Sequence, residues 1–407
     1  MCTSCETGHL HVHTEYSKLD SSSKIEEMIL RAKELGQTFI GITDHGTMSG
    51  LYEAQKMGDK HGVKVILGIE FYYERENDGK NGHLLILAKN NEGLTNMFKL
   101  NRLAYDNFYK KPRINWDMLK EHSEGLITTS TCLASTFNQL LMEGDYNGAK
   151  QWARKFKELF KGDFYIEVQP NSIPEQHLCN RGASRIAKEL GIKLVGTNDV
   201  HYTFEDDCFP HEVLLAMQTN KKMSDEKRFK FSTDDFWLKS KDEMVEAFEE
   251  TASLSKDEIK EALETTLEIA NKCNARIERG KYLPTYHDVP EGLTEGELLK
   301  QEAHKGTASR GLTGNVEYVN AIDYELDVIE RNGYSGYFLV VQDMVRSAKE
   351  RGDLVGDGRG SGAGSKVAYS TGITEIPPHE FDLLFERFMA DGREPKLGSI
   401  NWVNAIA

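Results

Sequence analysis

The chain has 407 residues, of which 39% are hydrophobic and 28% are charged, a composition typical of a globular protein with two or three domains. Its net charge of −15 argues against a protein that coats DNA through a basic surface. It does not exclude an enzyme whose acidic residues hold divalent metals. Six cysteines are too few for a disulfide scaffold, and no apolar run suits a membrane helix, so we expect a cytoplasmic protein.

The first half of the chain alternates short β-rich segments with amphipathic helical segments. One helical pattern, KIEEMILRAKELG, places Ile25, Met28, Ile29 and Ala32 on one face. Repeated strand–helix units imply parallel strands, and seven strands favour a barrel over a doubly wound sheet. The predicted strands are 9–14, 39–43, 63–73, 83–89, 125–130, 164–169 and 193–198.

The remainder of the sequence is mainly helical. Residues 205–280 include a basic stretch, KKMSDEKRFKF at 221–231, which could contact nucleic acid, although a solvated surface is the plainer interpretation. Two prolines and several polar residues predict a linker at 281–291. Residues 292–397 are helical again, around one glycine-rich loop.

Residues of metal-ligand type follow the predicted strands in turn. His11 and His13 lie two apart, so their imidazoles should face the same side of a strand, and His9 shares that face. In a parallel barrel the strand ends converge on one face, which predicts a shared site. The later candidates, at strand ends or in the following loops, are Asp20, His45, Glu70, His83, Cys132, Asp199 and His201.

This joint pattern predicts a metal centre, although a single histidine at a strand end is more often a satisfied polar group. Mixed His, Asp and Glu ligands suit Zn, Mn or Fe better than Ca. The candidates are too many for one ion, so two or three ions are expected. Bridged by Glu70 or a similar carboxylate, they would suit hydrolysis of a phosphoester.

The glycine-rich loop GDGRGSGAGSK at 356–366 leads into a helical run. Glycines let backbone N–H groups converge on an anion, and a helix N-terminus adds a positive dipole. Arg359 could contact a phosphate, with Ser361 or Ser365 as further donors. Lys366 follows a serine, and the glycines occupy only even positions, so neither a Walker A loop nor GxGxxG is present. A flexible linker is the alternative, but the flanks look folded.

Several segments resemble successive motifs of the PHP (polymerase and histidinol phosphatase) domain, in the version that begins the C-family DNA polymerases. They are HLHVHTEYSKLD, GITDHGTMSGLYEA, ILGIEFYY, HLLILAKN, TSTCLAS and GTNDVHY. The resemblance implies an α/β fold, with a distorted (β/α)7 barrel at 8–204 and a helical extension at 205–280. It also implies that Glu70, His83 and Asp199 are catalytic. The implied metal ligands are His11, His13, Asp20, His45, Glu70, His83, Cys132, Asp199 and His201.

The flanks of the glycine-rich loop, YELDVIERNGYSGYFLVVQDMV and LLFERFM, resemble the beginning of the polymerase palm in the same family. This resemblance assigns the palm to 292–397, and PHP-first order fits the C-family rather than the X-family. Asp357 replaces the usual proline and puts a negative charge near the expected phosphate site. The family's loop holds the triphosphate of the incoming nucleotide, and the matching positions are Arg359, Gly360, Ser361, Gly364 and Ser365.

Residues 398–407, GSINWVNAIA, depart from the family pattern. In the family a proline and two aspartates follow Leu397, and those aspartates bind the Mg ions of nucleotidyl transfer. The tail contains no Asp, Glu or His. We therefore expect no polymerisation by this chain alone, unless a second polypeptide completes the palm and its Mg site. A split gene, an intron and an engineered end are the alternatives.

The leading hypothesis is a fragment of a replicative DNA polymerase, with DNA primer–template and dNTP as partners. Its PHP site would be a metal-dependent 3′–5′ exonuclease or related phosphoesterase. A small-molecule phosphatase of the histidinol-phosphate type is a first alternative, but residues 285–397 would then have no purpose. A metal-stabilised scaffold within a polymerase assembly is a second alternative. Metal analysis and a nuclease assay with and without Mn²⁺ distinguish the three.

Overall fold

A computed structural model of the chain describes residues 7–75, 79–278, 283–358 and 360–390. It forms two compact units, Met1–Glu278 and Arg279–Ala407. The predictions for Arg359 and for the tail at 398–407 fall outside the described residues. No helix within the described ranges is both long enough and apolar enough to cross a membrane.

The first unit contains seven strands and ten helices among its described residues. Six of the predicted strand segments form named strands, in the predicted order. The strands are β1 (Phe39–Ile42), β2 (Lys64–Glu74), β3 (Asn81–Ala88), β4 (Arg113–Ile114), β5 (Leu126–Thr129), β6 (Phe164–Val168) and β7 (Leu194–Gly196). The helices are α1 (Ile25–Glu34), α2 (Leu51–His61), α3 (Asn91–Asp106), α4 (Trp116–Glu121), α5 (Thr136–Met142), α6 (Tyr146–Phe160), α7 (Pro174–Leu190), α8 (Cys208–Gln218), α9 (Lys241–Thr251) and α10 (Lys256–Lys272).

The strands form one curled sheet in the order β1-β2-β3-β5-β6-β7, with β4 paired to β2. Strand β3 runs antiparallel to both of its neighbours, whereas the other pairs are parallel. The expectation of uniformly parallel strands is therefore wrong at β3. The short connection at 75–80 explains the reversal, because a parallel crossover needs a dozen or more residues.

The segment that was predicted as the first strand joins the two edges of this sheet. Gly41 of β1 donates its N–H to the carbonyl of His9, and His13 donates its N–H to the carbonyl of Val200, just after β7. Residues 9–13 therefore act as the seventh extended segment of a distorted barrel. The predicted α/β barrel is confirmed in this form.

His9 does not share the face of His11. The chain bends at Leu10 and His11, so the alternation of a regular strand is lost there. The Nε2–H of His9 instead donates to the carbonyl of Lys239, at 2.7 Å. The expectation that His9 shares the face of His11 and His13 is wrong for this reason.

One end of the barrel interior is apolar and is covered by a helix. The end of α10 contributes Ile269, Ala270 and Cys273 to the apolar cluster there. Along β2, Ile66 belongs to this cluster and Glu70 lies two alternations further on, so polar side chains of the same face collect at the other end. The remaining members of the cluster are Leu10, Phe39, Leu85, Leu87, Ile127, Tyr165 and Val195.

Local sequence signals account for the helices around the barrel. Helix α1 buries Ile25, Met28, Ile29 and Ala32, the predicted apolar face. Ser240 and Ser255 begin α9 and α10 with capping boxes, in which the serine and the glutamate three residues later satisfy each other's backbone N–H groups.

The second unit is helical in its described part. Helix α12 buries Ile322 and α13 buries Val341 in one apolar cluster, which also contains Met389. The glycine-rich loop forms a short 3-10 turn, Gly360–Gly364, that leads directly into α14. The helices are α11 (Glu295–Ser309), α12 (Val316–Arg331), α13 (Ser335–Glu350) and α14 (Lys366–Ser370).

Candidate metal centre

Glu70 lies at the middle of four imidazoles at the polar end of the barrel. Its Oε1 is 3.2 Å from Nε2 of His11 and 3.1 Å from Nδ1 of His83. Its Oε2 is 2.6 Å from Nδ1 of His45 and 3.6 Å from Nε2 of His13. These four histidines come from three segments of the chain, and the barrel brings them together.

Asp199 faces the same centre from the opposite edge of the sheet. Its Oδ1 lies 3.1 Å from Nε2 of both His11 and His13. The same oxygen lies 3.7 Å from Nδ1 of His201. The backbone of Asp199 has a positive φ of 50°, which aspartate tolerates better than most residues.

The two remaining predicted ligands, Asp20 and Cys132, lie against this group of histidines and carboxylates. Oδ2 of Asp20 is 2.9 Å from Nε2 of His45. Sγ of Cys132 is 3.5 Å from Oε1 of Glu70 and 3.5 Å from Nδ1 of His83. The structure therefore brings all nine predicted ligand residues into one connected cluster.

Five polar atoms of this cluster are buried and, although they lie within 3.6 Å of other atoms of the cluster, none of them has the geometry of a hydrogen bond. Buried polar atoms are nearly always paired, so five unpaired atoms around one space fit a bound cation. Three overlapping sets of side chains have ligand atoms within 4.8 Å of one another: His11, His13 and Glu70; His13, His45 and His201; His45, Glu70 and His83. The unpaired atoms are Nε2 of His11, Nε2 of His13, Nδ1 of His45, Oε2 of Glu70 and Oδ1 of Asp199.

The electrostatics of the centre favour the ligand forms of Glu70 and His13. Against the effect of burial, nearby carboxylates raise the pKa of His11 and of His45, the latter to about 10, so a bound cation must displace a proton from each of these two imidazoles. Burial would raise the pKa of Glu70, but His83, His11 and His45 together hold it well below its ordinary value. Burial, assisted by the neighbouring His45, lowers the pKa of His13 to about 3. Glu70 is therefore an anion and His13 a neutral imidazole, which are the states that bind a cation.

A second carboxylate, Glu167 on β6, orients His11. It accepts a hydrogen bond from Nδ1–H of His11 at 2.8 Å, so the other ring nitrogen faces the centre. It also accepts from Thr129, Gln169 and Thr197, at 2.5, 2.9 and 2.6 Å. Glu167 is not among the residues predicted from the sequence. The available signal was a charged residue on the inward face of the otherwise apolar segment FYIEV.

Ser17 and Asp44 orient His13 in the same way. The hydroxyl of Ser17 donates to Oδ1 of Asp44 at 2.7 Å, so it must accept from Nδ1–H of His13 at 3.1 Å. The Nε2 lone pair of His13 is thereby left for a cation. These two residues were also missed from the sequence.

Substituting Glu167 by alanine should destabilise the protein by about 3 kcal/mol, because the change leaves several buried donors without an acceptor. Urea unfolding of the metal-free protein, followed by circular dichroism, measures this effect without contribution from bound ions. Glu158 is exposed on α6, so Glu158→Ala is the control and should stay within about 0.5 kcal/mol of wild type. Equal stabilities for the two variants would contradict the assigned role.

The glycine-rich loop places its predicted phosphate-binding residues in two different environments. Gly360 is exposed and Ser361 is half-buried. Gly364 and Ser365 are buried, and a Cβ at Gly364 would lie 2.7 Å from the carbonyl oxygen of Leu384. The structure therefore uses Gly364 for close packing, whereas Gly360 and Ser361 remain at the surface of the loop.

Ser365 and Glu325 form the N-terminal cap of α14. The Ser365 hydroxyl accepts from the N–H of Ala368 at 3.1 Å and donates to Oε2 of Glu325 at 2.8 Å. Glu325 also accepts from the N–H groups of Lys366 and Val367, at 3.0 and 3.1 Å. The hydrogen-bond acceptor at this helix N-terminus is thus a carboxyl group of the protein. The sequence could not reveal this part of the cap, because Glu325 lies on a different helix, α12.

Ionisation of Glu325 should lower the free energy of unfolding as the pH rises from about 4.5 to 7. Burial raises the pKa of this carboxyl to about 7, although its hydrogen bonds act in the opposite direction. The folded state therefore binds the proton more tightly than the unfolded state, and the advantage disappears above the folded pKa, a change of about 3 kcal/mol. Urea unfolding across this window should show a smaller fall for Glu325→Gln than for wild type. Parallel curves would contradict the prediction.

Two family models match the sequence. The PHP domain matches residues 9–171, and the "Bacterial DNA polymerase III alpha NTPase domain" matches residues 297–396. The first match contains the strands from β1 to β6, and the second contains the glycine-rich loop. Both parts of the predicted resemblance are confirmed.

Curated relatives match most of the chain. DNA polymerase III subunit alpha of Aquifex aeolicus is 38% identical over 408 residues, which cover 94% of this chain and 34% of that protein. The same subunit of Treponema pallidum is 40% identical, over 94% of this chain and 33% of its own length. An amidohydrolase structure from Chromobacterium violaceum covers 49% of this chain and 89% of its own at 14% identity, with a TM-score of only 0.31. The chain spans about a third of the length of its curated relatives, and over that third it is similar to bacterial DNA polymerase III alpha subunits.

Proposed function

We propose that this chain is part of a replicative DNA polymerase and that its PHP centre hydrolyses phosphodiesters at the 3′ ends of DNA. The observation that carries the proposal is the cluster of buried, unpaired ligand atoms around Glu70. Such a cluster suits a metal-dependent phosphoesterase, and the relatives are DNA polymerase subunits. DNA primer–template and dNTP are then the partners, in the cytoplasm, with a second polypeptide supplying the rest of the polymerase. The proposed parts are the barrel at 8–204, its extension at 205–280, a linker at 281–291 and the palm at 292–397.

The centre would hold two or three divalent ions, Zn, Mn or Fe. The three overlapping ligand sets support more than one ion, since each set offers three donors and Glu70 belongs to two of them. When bound, such ions supply Lewis acidity toward the phosphate and activate water. The ligands would be His11, His13, Asp20, His45, Glu70, His83, Cys132, Asp199 and His201.

Three residues of the centre have different roles, which follow from their positions. Glu70 is buried among the imidazoles and holds the ligand set together. Asp199 places a second carboxylate 3.1 Å from Nε2 of His11 and of His13, from the other edge of the sheet. The His83 side chain is 21% exposed, so it is the catalytic candidate that can exchange a proton with the leaving oxygen and with solvent.

The palm part would contribute a dNTP site at the glycine-rich loop. Gly360 and Ser361 are accessible for a triphosphate, and we assign Arg359 to the same site from its place in the motif. Gly364 and Ser365 would shape the loop from within. We expect this loop to bind dNTP weakly, and equilibrium dialysis with radiolabelled dNTP tests this.

The test of the nuclease uses 5′-labelled DNA in the presence of Mn²⁺. Single-stranded and mismatched 3′ ends should be shortened stepwise, and fully paired ends more slowly, because a paired end must first fray. Omission of the metal, with chelator present, should stop the reaction. Intact DNA together with rapid turnover of histidinol phosphate would establish the small-molecule phosphatase instead. Inactivity of the metal-loaded protein on both substrates would favour the remaining hypothesis, a metal-stabilised scaffold within a polymerase assembly.

A further inference from the structure

Helix α3 carries large apolar side chains on two different faces. Its inner face buries Leu94, Met97 and Leu100 in the main apolar cluster of the first unit. Its outer face carries Phe98 and Tyr105, whose exposed fractions are 48% and 57%. A helix at the surface of a domain normally turns polar residues outward, so a second apolar face indicates a second packing partner.

The outer face of α3 has the regular spacing of a helix–helix contact. Its members Phe98, Arg102 and Tyr105 follow the pattern i, i+4, i+7. This pattern forms one ridge along the helix, on which the two rings are two turns, or about 10.5 Å, apart. Ridges of this kind pack into the grooves of a second helix. The geometry of the outer face is therefore suited to a helical partner.

Exposed aromatic surface continues beyond the end of α3. Phe108 and Tyr109 follow the helix and are 59% and 51% exposed. With Phe98 and Tyr105, these half-exposed rings leave on the order of 400 Å² of aromatic surface in water. Apolar surface of that extent equals the largest patch on a typical monomer, which is often functional. We therefore expect this part of the barrel to bind a macromolecule.

The same part of the chain is basic, although the protein as a whole has a net charge of −15. Residues 98–113 contain five cationic residues and one acidic residue. Lys99, Arg102, Lys110 and Lys111 are all exposed, and none of these four forms an ion pair with another residue of the described ranges. Charge complementarity therefore selects an acidic partner.

Two observations favour a protein over a single-stranded nucleic acid as this partner. The ring of Tyr109 is flanked by cations of its own loop, since Nζ of Lys110 lies 5.4 Å and the guanidinium of Arg113 lies 4.9 Å from its centroid. Stacked bases follow one another at about 3.4 Å, whereas Phe98 and Tyr105 are separated by about 10.5 Å. These rings match the repeat of apolar side chains along a helix better than a run of bases.

We propose that the outer face of α3 docks an amphipathic helix of a partner protein, with an apolar stripe and acidic residues on its flanks. Phe98 and Tyr105 pack against the stripe, and Arg102 between them pairs with a carboxylate of the partner. Lys99 adds a second cation beside this ridge. The proposal goes beyond the nuclease function and does not depend on it, because none of these residues belongs to the proposed ligand set.

The test uses a synthetic three-heptad helix with leucine at positions a and d and glutamate at e and g. It carries fluorescein and is kept at nanomolar concentration, so that mutual repulsion of its glutamates keeps it monomeric. Titration with the full chain gives Kd from the fluorescence anisotropy. Phe98→Ala should weaken binding at least about tenfold, as expected for an aromatic anchor, and Tyr105→Ala should act in the same direction. Alanine maintains the helix at both positions.

A reversal of charge tests the acidic character of the partner. A second peptide, with lysine in place of every glutamate, should bind wild type at least about tenfold more weakly than the first. The double variant Lys99→Glu/Arg102→Glu should prefer the lysine peptide instead. A general loss of structure cannot produce such an inverted preference, so this readout distinguishes a docking surface from a merely structural role.

Phe209→Ala and Arg181→Glu are the matched controls. Phe209 is 63% exposed on α8, and Arg181 is exposed on α7. Both variants should bind the two peptides like wild type, and circular dichroism should show equal helix content throughout. Absence of binding by the glutamate peptide, equal binding of the two peptides by wild type, or an unchanged Kd for Phe98→Ala would overturn the proposal. A labelled oligothymidylate whose binding is weakened by Phe98→Ala would also overturn it and assign the face to nucleic acid.

Discussion

Asparagine in place of Asp199 will abolish the shortening of single-stranded 3′ ends and leave the fold intact. The substitution removes a buried negative charge 3.1 Å from Nε2 of both His11 and His13, but keeps the shape of the side chain. Asparagine also tolerates the positive φ of 50° at this position, so the backbone needs no adjustment. Loss of a preorganised charge at a reacting centre should cost at least about 10³-fold in rate. Denaturing gels of 5′-labelled DNA in Mn²⁺ measure it.

Asp206→Asn is the matched control, because Asp206 is exposed and lies outside the cluster. It should retain wild-type activity. The unfolding midpoints of the two variants should agree closely when chelator is present, which would show that Asp199→Asn has not unfolded the barrel. Activity of Asp199→Asn within about tenfold of wild type would contradict the catalytic assignment of this residue.

Wild-type protein will contain two or three equivalents of Zn, Mn or Fe, and Glu70→Gln will retain fewer than half of them. Glu70 is the carboxylate around which four imidazoles are arranged, so its neutralisation affects more than one ligand set. Chelation should lower the melting temperature of wild type, because bound ions stabilise the folded state by about 2.7 kcal/mol at a hundredfold excess over Kd. Elemental analysis and thermal unfolding with and without chelator provide both measurements.

The control is Glu74→Gln, on the same strand but paired with Arg113 away from the cluster. Its metal content and its response to chelator should equal those of wild type. His45→Ala should behave like Glu70→Gln, since Nδ1 of His45 is 2.6 Å from Glu70. Fewer than one ion per wild-type molecule under metal-replete conditions would exclude the multinuclear centre.

The clustering of the nine proposed ligand residues could be predicted from sequence, because they are polar residues at or near the ends of apolar strands, a position that forces them to meet. The orienting residues could not. Glu167 acts through His11 across the barrel, and this contact depends on strand order and on which face of β6 points inward. The error at His9 has a local cause, a bend that period-two alternation cannot reveal.

The second unit shows the same limit at a helix end. A glycine-rich loop before a helix correctly predicts a start for that helix. It does not reveal that Glu325, 40 residues away from Ser365, already accepts hydrogen bonds from the N–H groups at the start of α14. Sequence motifs indicate where an anion can bind, whereas the tertiary structure decides which group occupies that position.

The segment at residues 9–13 joins β1 to the chain just after β7, and this arrangement fixes the order of events during synthesis. Two of the proposed metal ligands, His11 and His13, emerge first from the ribosome, but their partner segment ends near Val200. At about 5–20 residues per second, these histidines wait roughly 10–40 s for the chain that encloses them. The proposed centre would therefore be complete only after the ring has closed, and a nascent chain that stops short of β7 should expose His11 and His13 to solvent.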